Sequence, residues 1–338
     1  MTPERIVVIG ASAGGVAAIE AIAAALPPDF PAPVLVVLHL SPTRKSLLPE
    51  ILAHAGPLLA AAASDGEPLR PGRIYVASPD QHLMVEHGCV RVTRGPKENQ
   101  FRPSIDVLFR SAALYYGSRA VGIVLTGALD DGSSGLFAIR RLGGVAVIQD
   151  PEEALFSAMP LAAMSRVDID YALPVTEMGR LLKSLIDEAP RPEPMDAAHY
   201  RNDLKLDVDV AACDSAYEKG IMGAIEPSVY TCPDCHGVLF RLREGKTDRF
   251  RCHTGHGYSS NALLAQQKVT AESSLWQAVK TLQESGALLH ELTERMRKSG
   301  EGETAEALGR KAGEVEERLK LLRQLALAHT DLQDERRA

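Results

Sequence analysis

Ile6-Val7-Val8-Ile9-Gly10-Ala11-Ser12-Ala13-Gly14-Gly15 decides the fold: a β-branched run of strand length meets a turn of small residues. An amphipathic stretch, Val16–Leu26, follows until Pro27-Pro28 stops it. A strand that feeds a helix through a glycine-rich turn is the opening unit of a parallel α/β sheet. The alternation continues outward. Val34–Leu38 reads as a second buried strand, Ala120–Leu125 as a third ending at Gly127, and Val145–Ile148 as another. Asp106–Tyr115 and Leu136–Leu142 read as helices, and Arg73–Val76 with Met84–Val92 as a smaller, more exposed β portion that turns at Gly88. The fold class is α/β: a doubly wound, mostly parallel sheet with helices on both faces, followed by a small β ribbon and a C-terminal helical hairpin.

The chain has 338 residues, more than the ~100–200 of one typical domain, and four segments are expected. Residues 1–188 form the sheet domain. Residues 189–228 form a linker that begins with the proline-rich Ala189-Pro-Arg-Pro-Glu-Pro194 and holds only short helical turns. Residues 229–258 form the ribbon. Residues 259–338 form two amphipathic helices broken at Gly300 and Gly302, with Val269, Trp276, Val279, Leu282, Leu289, Leu292 and Met296 on one face and Ala305, Leu308, Ala312, Val315, Leu319, Leu322 and Leu325 on the other. With 45% hydrophobic and 24% charged residues the chain is globular, and its net charge of −7 argues against nucleic acid as a partner. No apolar run approaches the ~20 residues that cross a bilayer, and MTPERIVVIG lacks a basic lead, so no membrane insertion and a cytoplasmic location are expected. Five cysteines, an odd number, argue against a disulfide framework.

Within the opening turn, G-x-S-x-G lifts the Ser12 hydroxyl clear of the sheet, and the backbone N–H groups of Ala13 and Gly14 at the following helix start suit an oxyanion. A dinucleotide cradle is the competing reading of such a turn. It would need Asp or Glu at the end of the second strand, ~20 residues on, where this chain carries His39. On its own, His39 reads as a half-buried histidine, and Asp130-Asp131 as a helix cap or cation site. A serine, a histidine and a carboxylate at three separate strand ends read together as a nucleophile, its base and the base's orienting group.

Residues 4–185 resemble the catalytic domain of the chemotaxis protein-glutamate methylesterases (CheB). The resemblance rests on Gly10–Gly15, on His39, and on Val124-Leu-Thr-Gly-Ala-Leu-Asp-Asp-Gly132, which puts the family's aspartate at Asp131. Asp65-Gly66-Glu67, Pro71–Ala77, Arg102–Phe109 and Phe156–Pro160 add to it. It implies catalysis by Ser12, His39 and Asp131 without a cofactor, and an oxyanion site of Ala13, Gly14 and Ala128. It also implies Arg102 beside the site with Asp106, either seating substrate or pairing with each other. The implied substrate is a glutamate γ-methyl ester on a methylated chemoreceptor or related signalling protein, with glutamine deamidation as a second activity. The chain departs from the family pattern at Ala128-Leu129, where Met-Gly is usual, and at Leu38 before the histidine. Only a few residues precede the first strand, so control by an N-terminal receiver domain is not expected. The alternative is a non-catalytic interaction protein that binds a partner through its ribbon and hairpin.

Cys232-Pro-Asp-Cys235 is followed after sixteen residues by Cys252-His-Thr-Gly-His256. That spacing fits a zinc ribbon of three thiolates and one imidazole, Cys232, Cys235, Cys252 and His256, with His253 competing for the fourth place and His236 less suited. A redox C-x-x-C would not need the second Cys–His pair. Arg241, Arg243, Lys246, Arg249 and Arg251 read as a solvated strand face, and Cys89 and Cys213 as ordinary thiols.

Overall fold

A computed structural model describes residues 4–212, 226–245 and 247–334, with side chains as far as residue 328. Cys213 and Lys246 lie outside the described residues. The chain forms two compact units, residues 1–263 and 264–338.

The first unit opens with β1 (Ile6–Ala11), α1 (Gly15–Ala25), β2 (Val34–Leu38), α2 (Leu48–Ala55), β3 (Leu59–Ala62) and β4 (Arg73–Val76). A hairpin, β5 (His82–Glu86) and β6 (Cys89–Thr93), leads to α3 (Ile105–Tyr116). Then come β7 (Ala120–Val124), α4 (Ser133–Arg141), β8 (Val145–Gln149), α5 (Ala158–Arg166), β9 (Tyr171–Leu173), α6 (Val175–Asp187) and α7 (Ala197–Ala212). Seven strands pair in the order β3-β4-β2-β1-β7-β8-β9, every pair parallel. The strand order reverses on either side of β1, so the carboxyl ends of β1, β2 and β7 meet at the switch point where open α/β sheets bind ligands. Alternate residues of β1 enter opposite cores: Ile6 and Val8 pack with α3 and α4, Val7 and Ile9 with α1 and α6.

Two sequence expectations change here. Arg73–Val76 is an inner strand of the main sheet, between β2 and β3, and β5 is nearly all buried, so neither belongs to an exposed β portion. The 189–228 stretch carries a sixteen-residue helix, α7, whose Leu204, Val208 and Ala211 join the same core as α3.

The ribbon sheet pairs β10 (Glu226–Thr231), β11 (Val238–Glu244), β12 (Thr247–Cys252) and β13 (Gly257–Ser259) in sequence order, all antiparallel. Its interior is small: Leu239, Phe250, Tyr258 and Leu263 around Cys232 and Cys252. Arg249 and Arg251 are not a solvated face. Both are buried, Arg251 on Glu98 (2.8 Å) and Asp207 (3.0 Å), Arg249 on Asp207 and Glu244. A desolvated guanidinium needs such partners.

Two long helices, α8 (Ser260–Lys298) and α9 (Gly302–Asp334), make up the rest. In the second unit His290 Nε2 lies 2.7 Å from Glu316, and Val279, Thr293, Ala305 and Ala312 are buried. Val269, Trp276 and Leu325 of the expected apolar faces are exposed.

Candidate active site

The turn after β1 is built from its backbone. Ser12 N–H donates to Thr126 O (3.0 Å) and Gly15 N–H to Ser12 O (3.0 Å), which folds the chain sharply into α1. Gly14 takes φ +75°, a left-handed conformation open to glycine at little cost. Gly10 allows α3 to approach the sheet, since a Cβ there would stand 2.1 Å from Ile105 Cγ2. Thr126 Oγ1 donates to Ala13 O (3.0 Å) and accepts from Phe156 N–H (2.9 Å), fixing the loop after β7 against the serine turn.

Ser12 is half-buried, and its Oγ lies 3.2 Å from Nδ1 of His39. On the other edge of the ring, Nε2 lies 2.8 Å from Asp131 Oδ2. With Nε2 donating to the carboxylate, Nδ1 is left to accept the serine proton. Phe101 stacks on the imidazole at 3.5 Å between centroids and 6° between planes, which fixes the plane in which both bonds are made.

Asp131 is 1% exposed and accepts from four further donors. Oδ2 takes Ile105 N–H (2.7 Å); Oδ1 takes Ser104 Oγ (2.9 Å), Asn99 Nδ2 (2.9 Å) and Asp106 N–H (3.3 Å). Two of these are the first N–H groups of α3, so Asp131 caps that helix from outside it and sits at its positive end. Burial opposes the charged form, but the bonds from His39, Asn99 and Ile105 outweigh it and hold the carboxyl well below the usual range. Asp106 moves the other way, up to about 8, through burial and the charge of Asp131.

The remaining expected positions divide. Ala13 is half-buried and Gly14 exposed at the start of α1, and among the described residues no backbone hydrogen bond takes up either N–H. Ala128 stands exposed on the loop after β7, next to Leu129 at φ +63°, a left-handed value at the position where the family pattern has glycine. Arg102 and Asp106 do not pair. The Arg102 guanidinium binds Asp80 Oδ1 (3.0 and 2.7 Å) and the carbonyls of Arg94 and Gly95, so its donors are taken up inside the fold. Asp106 accepts from Asn99 Nδ2 and Gly135 N–H. Asp130 accepts from Ser259 Oγ (2.7 Å) and Asn261 Nδ2 (3.2 Å). Sequence reasoning missed Asn99, Phe101 and Thr126; the only local sign of Asn99 is that Asn tolerates the left-handed turn it occupies, at φ +51°.

In the ribbon, ligand atoms of Cys232, Cys235, Cys252 and His256 all lie within 4.8 Å of one another, a group that could hold a metal ion. His253 instead lies against Gly237, and His236 sits in the first knuckle. Hydrogen bonds from Cys232 and His256 draw the Cys252 thiol down, while that of Cys232 is pushed up.

A CheB methylesterase family model matches residues 7–182. A protein-glutamate methylesterase/protein-glutamine glutaminase of Anaeromyxobacter dehalogenans is 41% identical over 181 residues, 54% of this chain and 53% of that one. The corresponding protein of Yersinia pestis bv. Antiqua is 35% identical over 190 residues, 55% of this chain and 54% of that one. The match thus spans about half the length of each of these relatives. The crystal structure of the Thermotoga maritima CheB methylesterase catalytic domain superimposes with a TM-score of 0.51 at 34% identity, over 54% of this chain and 97% of that one. With the sheet order, the serine turn and the family match in agreement, the chain belongs to the CheB methylesterase family.

Proposed function

We propose that the sheet domain hydrolyses γ-methyl esters of glutamate side chains on a methylated chemoreceptor or related signalling protein, with Ser12 as nucleophile, His39 as base and Asp131 as the base's orienting group. The observation that carries this reading is the unbroken chain from Ser12 Oγ through His39 to Asp131 at 3.2 and 2.8 Å. His39 Nδ1 takes the hydroxyl proton as Oγ attacks the ester carbonyl, and Asp131 stabilises the imidazolium through Nε2–H. The N–H groups of Ala13, Gly14 and Ala128 receive the oxyanion, and loss of one such donor costs about 3 kcal/mol of barrier. His39 returns the proton to departing methanol. It then takes one from the water that cleaves the glutamyl–serine ester and gives it back to Ser12. The same steps on a glutamine side chain release ammonia.

Leu155 and Phe156, 74% and 45% exposed, flank the serine turn and offer an apolar rim to the protein substrate. Zinc is the metal this reading gives the ribbon. A tetrahedral ion with Zn–S bonds of about 2.3 Å sets its sulfurs about 3.8 Å apart, close to the 3.6 Å between Cys235 and Cys252 and the 3.6–3.7 Å from sulfur to His256 Nδ1. The ion would cross-link Cys232, Cys235, Cys252 and His256, and the hydrolysis uses none of it. Free thiols in this cluster suit a reducing cytoplasm. Among the described residues no helix is long and apolar enough to cross a membrane.

Methanol release from a methylated receptor preparation tests the proposal. The full chain is expected to release methanol, and Ser12→Ala to reduce release at least a thousandfold at unchanged stability. Equal release by both proteins would refute the mechanism.

A further inference from the structure

Residues 97–101 lie between the catalytic groups and the ribbon and are bonded to both. On the ribbon side, Asn99 N–H donates to Gly257 O (2.8 Å), Gly257 N–H to Lys97 O (3.2 Å), and Ser259 N–H to Asn99 Oδ1 (2.8 Å). Gln100 Nε2 reaches Ala262 O (3.3 Å), and Glu98 binds Arg251 (2.8 Å) as well as Arg110 of α3. On the catalytic side, the two Nδ2 hydrogens of Asn99 go to Asp131 Oδ1 (2.9 Å) and Asp106 Oδ2 (3.0 Å), and Phe101 stacks on His39. The Asn99 amide is thereby fully used: both donors point to carboxyl oxygens, its acceptor takes a ribbon N–H, and the residue is 3% exposed.

The turn is closed by its own backbone, Glu98 N–H to Phe101 O (3.2 Å) and Phe101 N–H to Glu98 O (2.8 Å), while its position against Asp131 rests on contacts from outside. Asn99 and Gln100 both take positive φ, 51° and 74°, a region that Asn tolerates and Gln adopts at a cost. What holds the turn from outside is β13, which starts one residue after the ligand His256 and ends at Ser259. The turn that delivers β13, Cys252 to His256, has two metal ligands and little apolar interior to shape it.

We propose that the metal-closed ribbon braces the catalytic loop, with Asn99 as the positioning residue through which β13 fixes Asp131 and hence His39, so that the reactivity of Ser12 depends on the ribbon's metal. The proposal rests on the serine-esterase reading above. It assigns the ribbon a role in the reaction without placing any of its atoms on the substrate.

The test measures covalent labelling of Ser12 by a fluorescent fluorophosphonate, using full-length wild type and Asn99→Ala, each zinc-loaded, chelator-stripped and zinc-restored. Bound zinc is counted in parallel. Stripping is expected to lower the maximal labelling rate of the wild type roughly ten- to hundredfold, with the probe's half-saturation within about twofold, and zinc to restore it. Zinc-loaded Asn99→Ala is expected to show a comparable fall, and stripping it to add less than about twofold, since the route to Asp131 is already cut. An unchanged rate in stripped wild type overturns the proposal. So does an equal further fall in stripped Asn99→Ala, as general unfolding would produce. If Asn99→Ala yields no folded protein, Asn99→Ser takes its place with the same expectations. Failure of zinc-loaded wild type to label at all, matching Ser12→Ala, overturns the esterase reading and this proposal with it; labelling indifferent to zinc overturns this proposal alone.

Discussion

Asp131→Asn isolates the electrostatics of the candidate triad, because every group around that carboxylate is a donor. Oδ2 receives His39 Nε2 and Ile105 N–H; Oδ1 receives Ser104 Oγ, Asn99 Nδ2 and Asp106 N–H. An amide has one acceptor end. With its NH2 toward Oδ1's partners it opposes two fixed donors, Asp106 N–H and Asn99, which cannot turn over without losing Ser259 N–H, so the opposite orientation is expected to prevail. With its NH2 toward Oδ2's partners it opposes Ile105 N–H and forces His39 to accept at Nε2. The proton then moves to Nδ1, which faces Ser12 and can no longer take the serine's proton. In triads of this kind a wrong tautomer lowers kcat by about 10⁴, or roughly 5 kcal/mol of barrier. Either orientation strands at least one buried donor, so stability is expected to fall by about 1–3 kcal/mol. Asp106, relieved of the neighbouring charge that helps hold it near 8, is expected to titrate lower. Steady-state methanol release with urea unfolding on the same samples measures both effects. A kcat within tenfold of wild type, in protein that unfolds cooperatively, would show that Asp131 does not set the histidine tautomer.

Gly10→Ala is expected to destabilise by about 2–3 kcal/mol, because its methyl group would stand 2.1 Å from Ile105 Cγ2 at the helix start that holds Asp131; thermal unfolding checks this. Acid should weaken the first unit through Glu98, whose carboxyl sits near 2 because Arg110, Arg251 and Arg249 outweigh the cost of burial. A depressed carboxyl contributes its stability in full above the unfolded value of about 4.5 and loses it as pH falls towards 2. About 3 kcal/mol should vanish across that window, and Glu98→Gln should flatten it, as read from urea midpoints against pH. Cys235→Ala is expected to remove bound zinc, counted by metal analysis, since three remaining ligands leave the tetrahedral site open.

The catalytic candidates were readable in the sequence because each follows a fully buried strand, and buried parallel strands leave an unmistakable apolar run: Ile6–Ile9 before Ser12, Val34–Leu38 before His39, Val121–Leu125 before Asp131. Where that signal is weak, reading failed. Leu59-Ala-Ala-Ala62 is an edge strand written in a helix-favouring residue. Leu204-Lys-Leu-Asp-Val-Asp-Val210 alternates like a strand, yet Leu204, Asp207, Val208 and Ala211 bury one side of a helix, because the adjoining core accepts that face. Arg249 and Arg251 looked solvated since the carboxylates that neutralise them, Asp207 and Glu98, lie 42 and 153 residues away. Asn99 is the sharpest case. It bonds Asp131 and Ser259, 32 and 160 positions further along the chain, from a segment with no periodicity, so only the tertiary fold could reveal it.

The parallel bridge between Glu98 and Gly257 bears on how such a protein can be recombined. A shuffled gene that keeps residues 7–182 and swaps the rest would join two surfaces never selected to meet and remove Arg251 and Gly257, the partners of Glu98 on the ribbon side, from the buried Glu98–Arg110 pair. Chimeras that carry residues through 263 keep that seam closed.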